Sequence, residues 1–381
     1  MSAPGAAASP VIFISAGEES GDLHGAALAR ALRERFPSAR LIGLGGARME
    51  AEGVRLLAGL QDLAVMGFAE VIRHLPFFIR LRKAVFAALE RERVDLVIPI
   101  DYPGFNLRLA RHARERGIPV LYYIAPQVWA WHKSRVADLA RDADEVAVVL
   151  PFEEDFLRRG GVNARFVGHP LLDRADPPLP REEWARSHAL DPARPILALF
   201  PGSRAQEVRR HLELFSDAAA RVVERRPDAQ PVIGVPGGID PAIYAAARWP
   251  RIDSAGGLLR YATAALAKSG TTTLEAALAM TPLVVTYRMN PLSYALARRL
   301  VKVPHIALAN LIAEERVAPE FVQEAATPRA LAEAVLPLLD EQSEERRRMV
   351  AGLARVRERL GGAGASARVA GLAADLLARG R

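Results

Sequence analysis

At 381 residues the chain exceeds what one hydrophobic core ordinarily serves, and at ~100–200 residues per domain it is expected to fold as two or three. Half of it is hydrophobic and a quarter charged, which excludes disordered and fibrous classes; with no cysteine it carries no disulfide framework, thiol nucleophile, Cys-ligated zinc or iron–sulfur cluster. Its 51 basic residues against 44 acidic ones leave a formal charge of +7, which favours an anionic partner: nucleic acid, a phosphorylated ligand or an anionic membrane surface.

From the N-terminus, Met1 to Pro10 is small and uncharged, and the apolar run Val11–Ile14 is too short for a signal-peptide core, so a cytoplasmic location is expected. No uninterrupted apolar stretch approaches the ~20 residues of a spanning helix. Val11–Ser15, Leu41–Leu44, Leu96–Ile100, Val120–Ile124 and Val146–Leu150 read as buried strands, alternating with helical patterns such as Ala26–Arg35 and Asn106–Arg116. Between them, Phe77–Glu90 places Phe78, Leu81, Val85 and Leu89 at helical spacing beside Arg80, Arg82 and Lys83. That pattern suits a helix packed on a sheet or a basic amphipathic helix lying on a membrane, and the adjacent Phe77 and Phe78 crowd a narrow buried stripe. Composition shifts at Asp173–Pro180, rich in proline, which marks a domain boundary. Strand patterns resume at Ile196–Phe200, Pro231–Val235, Ala262–Ala267 and Leu283–Tyr287, interleaved with helical segments Glu207–Arg225 and Leu274–Ala279.

The expected fold is therefore α/β, with two Rossmann-like parallel-sheet domains facing a central cleft. The first spans 1–175 and the second 176–330. A helical tail, 331–381, follows; the pattern leaves its partner half open, the first domain being one choice.

Loops after the strands carry the candidate chemistry. Gly17, Gly21 and Gly25 after the first strand permit close backbone approach to a ligand, and Ser20 or Asp22 can cap the following helix; a tight strand-to-helix turn explains the same residues. Asp101, directly after Leu96–Ile100, suits a general base at a strand end, or a turn-stabilising acceptor. Tyr123, Gln127, Trp129 and Trp131 form a second strand-end cluster, suited to a sugar or to packing. In the second half, Gly202 and Ser203 offer donors and Arg204 a guanidinium, an anion site that needs no metal. Ser269 through Thr272 place hydroxyls and N–H groups at a helix N-terminus, a diphosphate cradle, and Glu275 one turn in either accepts ribose hydroxyls or completes a capping box with Thr272. No P-loop, HExxH, GxSxG or zinc-ligand spacing occurs, and basic residues are interspersed with acids, so nucleic acid is not an expected partner.

Taken in order, Ala16-Gly17-Glu18-x-Ser20-Gly21-Asp22, Val65-Met66-Gly67-Phe68-x-Glu70, Ile100-Asp101-x-Pro103-x-Phe105-Asn106, Pro126-Gln127-Val128-Trp129-Ala130-Trp131, Val167-Gly168-His169-Pro170, Pro201-Gly202-Ser203-Arg204-x-x-Glu207 and Ser269-Gly270-Thr271-x-Thr273-Leu274-Glu275 resemble the lipid-A-disaccharide synthase family. Tyr287-Arg288-Met289 and Asn310-Leu311 extend the match. The resemblance implies a GT-B-type inverting glycosyltransferase of lipid A biosynthesis. Such an enzyme moves 2,3-diacylglucosamine from UDP-2,3-diacylglucosamine to the 6-hydroxyl of 2,3-diacylglucosamine 1-phosphate and releases UDP, with no cofactor and no metal. It implies catalytic roles for Asp101 and Arg204. UDP-sugar contacts fall to Gly202, Ser203, Arg204, Glu207, Ser269, Gly270, Thr271, Thr272, Glu275 and Asn310, and acceptor contacts to Gly17, Glu18, Ser20, Asp22, Met66, Asn106 and Gln127. Tyr102, Gly104 and Ala309 depart from the residues common in the family. With two acylated substrates, the Phe77–Glu90 helix is expected to dock on the anionic inner leaflet, making the enzyme cytoplasmic and peripheral on the inner membrane. A homodimer is left open. Other readings are a different UDP-sugar GT-B glycosyltransferase, a nonhydrolysing UDP-sugar epimerase, or a noncatalytic protein that binds UDP-sugar or anionic lipid.

Overall fold

A computed structural model describes residues 9–59, 68–129, 135–173, 179–237, 239–252, 255–290, 294 and 304–379. The chain divides into two compact units, Met1–Arg174 with Gly362–Arg381, and Ala175–Gly361. The stretch 331–361 thus goes with the second unit and only the last helix returns to the first.

The first unit is built on a seven-stranded parallel sheet of β1 (Val11–Ala16), β2 (Arg40–Gly45), β3 (Arg55–Gly59), β4 (Leu96–Ile100), β5 (Leu121–Tyr123), β6 (Glu145–Val148) and β7 (Ala164–Phe166), in the order β3-β2-β1-β4-β5-β6-β7. The second holds a six-stranded parallel sheet of β8 (Ile196–Phe200), β9 (Gln230–Gly234), β10 (Arg251–Ile252), β11 (Ala264–Lys268), β12 (Leu283–Tyr287) and β13 (Glu320–Val322), ordered β10-β9-β8-β11-β12-β13. Helices cover both faces of a sheet of this kind, so its inner strands are largely apolar, and every residue of β1, β4 and β8 is buried. The four strands at the sheet edges, β3, β7, β10 and β13, have no such continuous apolar run and are absent from the sequence reading.

The strand order reverses between β1 and β4 in one sheet and between β8 and β11 in the other. At such a switch point the flanking loops diverge and leave a crevice at the carboxyl ends of the strands, the usual ligand position in open α/β sheets. All the candidate loops after β1, β4, β8 and β11 issue from these two places.

The last helix, Ala365–Arg379, is tied down by Asp173, whose carboxylate accepts from the N–H groups of Gly364 (2.5 Å), Ala365 (3.2 Å) and Ser366 (3.1 Å). Three otherwise unpaired N–H groups at a helix N-terminus are thereby satisfied. Arg368 of the same helix donates to the carbonyl of Val167 at 2.8 Å, so the Val167–Pro170 motif is the landing site of the chain's end. His169 within it is buried and accepts from Leu171 N–H; burial, then the neighbouring His24, push its pKa down to about 3 and keep it neutral.

The helix Phe68–Arg91 corrects part of the lipid-facing expectation. Leu81, Val85 and Leu89 are buried in the core of the first unit, and Phe77 and Phe78 are half-buried against that core, their rings edge to face at 5.6 Å. The described part of the apolar stripe is therefore largely a packing stripe; Ile79, at 39% exposure, faces out beside exposed Arg80 and Lys83. Among the described residues no helix is long and apolar enough to cross a membrane.

Candidate functional site

At the switch point of the first sheet, β1 and β4 run side by side with Ala16 opposite Ile100. Asn106, wholly buried on the helix Pro103–Glu115, sutures them. Its amide NH2 lies 3.1 Å from the carbonyl of Ser15, 3.0 Å from that of Ile100 and 2.9 Å from that of Asp101, and its Oδ1 accepts from the Ser15 hydroxyl at 2.6 Å. A buried carbonyl at a strand end must find a donor, and here one amide serves three.

Asp101 emerges from this suture half-buried, with φ 45°, and Tyr102 follows with φ 47°. Two consecutive non-glycine residues in the left-handed region cost about 1–3 kcal/mol each, so the surroundings must over-determine them. They do: Asp101 N–H donates to Tyr123 (3.1 Å), and its carbonyl also accepts from the hydroxyl of buried Tyr122 (2.8 Å). Burial, then the charge of Glu18, raise the Tyr102 pKa, which places Glu18 close to that ring and keeps the phenol protonated. The ring lies over Gly17, where any Cβ would collide with it, so only glycine fits beneath the ring.

Of the other residues expected to meet an acceptor, Glu18 and Ser20 are exposed at the start of the helix Glu19–Arg35, and Gln127 is exposed in the turn after β5. Asp22 is corrected. It does not cap its own helix: it is buried, and its carboxylate accepts from the N–H groups of Gly46 (2.7 Å), Met49 (3.0 Å) and Arg48 (3.2 Å) at the start of the helix Ala47–Ala51. Ser20 likewise makes no side-chain cap. Asn106 is corrected in the same sense, since its whole side chain is spent on the suture. Met66 and Trp131 lie outside the described residues.

The second switch point is cationic. The loop after β8 is closed by Glu207, which accepts from Ser203 N–H at 3.0 Å with one oxygen and pairs with Lys268 at 2.8 Å through the other. Burial pulls Glu207 upward, but the Lys268 ammonium, the Ser203 N–H and Arg204 outweigh it and hold the carboxyl below its ordinary value. Gly202 adopts φ 141°, and a Cβ there would strike Glu207, so only glycine fits the loop. Glu207 is thus the link between the β8 loop and the end of β11. Arg204 is exposed at the N-cap of the helix Ala205–Arg225.

Lys268 ends β11, and its ammonium lies 5.5 Å from the centre of the Tyr287 ring and next to the open space at Gly270. Gly270 is the N-cap of the helix Thr271–Leu278. Thr272 therefore sits inside the helix and forms no capping box with Glu275, which leaves Glu275 half-buried one turn in. The start of the helix, exposed Thr271 and the two cations Lys268 and Arg204 form the anion-favouring part of this unit. Lys268 was not singled out from sequence; the available signal was a lysine closing an otherwise apolar buried strand.

Two further residues read as UDP contacts are turned inward. Ser269 gives its hydroxyl to the carbonyl of Ile306 at 2.7 Å. Asn310 is wholly buried, donating to Ala318 and Glu320 at 2.8 Å each and accepting from Ala318 N–H at 2.8 Å. Tyr287-Arg288-Met289 also resolves into framework. Arg288 N–H donates to Nε2 of buried His211, whose Nδ1 meets the carbonyl of Glu207 at 2.8 Å, an arrangement that makes Nδ1 the protonated nitrogen. Among the described residues no three His, Asp or Glu side chains converge as a metal site would need.

The family model described as lipid-A-disaccharide synthetase matches residues 12–367. A curated lipid-A-disaccharide synthase of Acidobacterium capsulatum is 42% identical, with 97% of each chain covered. Among solved structures, a putative UDP-N-acetylglucosamine 2-epimerase from Listeria monocytogenes superposes with a TM-score of 0.66 at 15% identity, covering 95% of both chains. The calicheamicin glycosyltransferase CalG4 gives 0.61 at 20% identity, covering 98% of this chain and 99% of that one. At those identities the two structures speak to the fold, which is GT-B.

Proposed function

The chain belongs to the lipid-A-disaccharide synthase family and is a glycosyltransferase, and from that premise we propose how its residues perform the transfer. The donor is UDP-2,3-diacylglucosamine and the acceptor 2,3-diacylglucosamine 1-phosphate; the products are the β-1,6-linked disaccharide 1-phosphate and UDP. The observation that carries the residue assignment is Asp101, a carboxylate held in a strained left-handed backbone at the switch point of the first sheet. A primary alcohol is a poor nucleophile. Asp101 accepts the proton of the acceptor's 6-hydroxyl as its oxygen bonds to the anomeric carbon; the bond from that carbon to the UDP oxygen breaks on the opposite face, so α becomes β.

The departing diphosphate gains negative charge, which Arg204, Lys268 and the N-terminus of the helix Thr271–Leu278 are placed to stabilise without reorganising. Glu275 takes the ribose hydroxyls. Gly202, Ser203 and Glu207 shape the loop, while Gly17, Asp22, Asn106, Ser269 and Asn310 support the contact residues from beneath. Glu18, Ser20 and Gln127 are the exposed candidates for the acceptor.

Because both substrates carry acyl chains, the enzyme works against the anionic inner leaflet, through the outward face of the helix Phe68–Arg91 at Ile79, Arg80 and Lys83, with the free edges of Phe77 and Phe78. The testing experiment is UDP release from UDP-2,3-diacylglucosamine by the purified chain. Release that requires the monophosphate acceptor supports the reading; conversion of the UDP-sugar without acceptor supports an epimerase, and no release with this acceptor supports another transferase.

A further inference from the structure

One buried carboxyl of the first unit has no part in the transfer as described. Glu153 lies in the first turn of the helix Pro151–Arg159, after β6, and is 2% exposed. One oxygen accepts from Leu150 N–H at 3.2 Å, an ordinary helix-start contact, but the other accepts from Trp129 Nε1 at 2.9 Å, in a different segment of the chain. Phe152, its neighbour, meets the same indole edge to face at 5.2 Å. Two successive residues of one helix thus grip one tryptophan, by an apolar contact and by a charge-assisted hydrogen bond. That tryptophan closes the turn after β5 in which Gln127 is exposed between buried Pro126 and Val128, with Val128 N–H bonded to Pro126 at 2.6 Å. β5 is the sheet neighbour of β4, from which Asp101 emerges.

We propose that Glu153 is a positioning residue for the acceptor: its carboxylate anchors Trp129 and so fixes the turn that presents Gln127 next to the strand bearing Asp101. This rests on the acceptor reading of the first unit. The bond pattern favours the ionised form, because both oxygens face N–H donors; a protonated carboxyl accepts more weakly through its hydroxyl oxygen, and a glutamine turns an NH2 toward one of the donors. Burial pushes the Glu153 pKa up to about 7, against the bonds from Trp129, Leu150 and Val149, and the charge of Asp101 adds to the rise. On its own helix, Glu154 and Arg158 pair with each other. The grip on Trp129 therefore strengthens as pH rises through about 7. Stability moves the other way: the folded pKa exceeds the ordinary 4.5, so the folded state holds the extra proton between about 4.5 and 7 and loses that advantage as pH rises across the window.

The test follows tryptophan emission, melting temperature and steady-state kinetics of the full chain against pH. In the unaltered protein an emission change is expected with a midpoint near 7, and acceptor KM falls through the same midpoint while UDP-sugar KM stays flat. Glu153→Gln should remove the emission change, flatten the fall in melting temperature from pH 4.5 to 7, and raise acceptor KM about tenfold above pH 7, the loss of roughly one buried hydrogen bond. Trp129→Phe should raise acceptor KM similarly, and the double variant should add nothing. The proposal is overturned if the emission change is missing from the unaltered protein or survives in Glu153→Gln, or if both folded variants keep the original acceptor KM. Emission and melting need no substrate, so failure of the transfer reading, seen as the lack of acceptor-dependent UDP release, is told apart from failure of the anchor.

Discussion

The two switch points share a topology and differ in how their loops are stitched. In the first sheet the stitch is neutral: the Asn106 amide gathers three carbonyls and holds a strained Asp101, the proposed base. In the second the stitch is an ion pair, Glu207 with Lys268, that joins two loops beside exposed Arg204. The fold repeats, and in the proposed mechanism base and leaving-group support fall to loops that are stitched differently.

Removing the base breaks the comparison most severely. Asp101→Asn should cut turnover by about 10²-fold or more while the melting curve stays near that of the original, since only the proton acceptor is lost. Next comes the neutral suture. Asn106→Ala strips donors from three carbonyls and should cost about 1–3 kcal/mol in a denaturant titration, with turnover falling and UDP affinity unchanged.

On the cationic side, Arg204→Ala and Lys268→Met should each weaken UDP binding about tenfold in calorimetry, an effect that shrinks as salt is raised. Glu275→Ala should weaken it with little salt dependence, because ribose hydroxyls are neutral. The smallest effect belongs to the helix Phe68–Arg91. Changing Phe77 and Phe78 to Ser should lower stability by less than the ~3 kcal/mol that a fully buried aromatic costs, since both are half-buried, and should weaken binding to anionic vesicles in low salt. Vesicle binding that is unchanged while the melting temperature falls would place the membrane contact elsewhere.

These contrasts also mark what the amino-acid pattern could reveal. Leu96–Ile100, Ile196–Phe200 and Leu283–Tyr287 are legible to the residue because a strand buried on both faces must be apolar throughout. β3, β7, β10 and β13 are not, because an edge strand is short and half-solvated and its residues look like loop. The candidate loops were legible as loops, from glycines and polar residues following buried strands. The direction of each polar side chain was not. Asp22, Asn106 and Asn310 read as ligand contacts, yet the unpaired backbone groups of the neighbouring turns claim all three, and a carboxylate or amide is equally suited to either duty. Lys268 and Glu153 were passed over for the converse reason: a lysine at a strand end reads as a solvated terminus and a glutamate in a first helical turn reads as capping, until the fold brings Glu207 and Trp129 against them.

The central claim, that proton removal belongs to the first switch point and leaving-group support to the second, is tested most directly by one crossed measurement: UDP affinity and turnover of Asp101→Asn beside Arg204→Ala. The account predicts that Asp101→Asn binds UDP as the unaltered protein does and turns over about 10²-fold slower or worse, while Arg204→Ala loses affinity for UDP in a salt-dependent way. Near-normal turnover in Asp101→Asn, or loss of UDP binding in a folded Asp101→Asn, would contradict it.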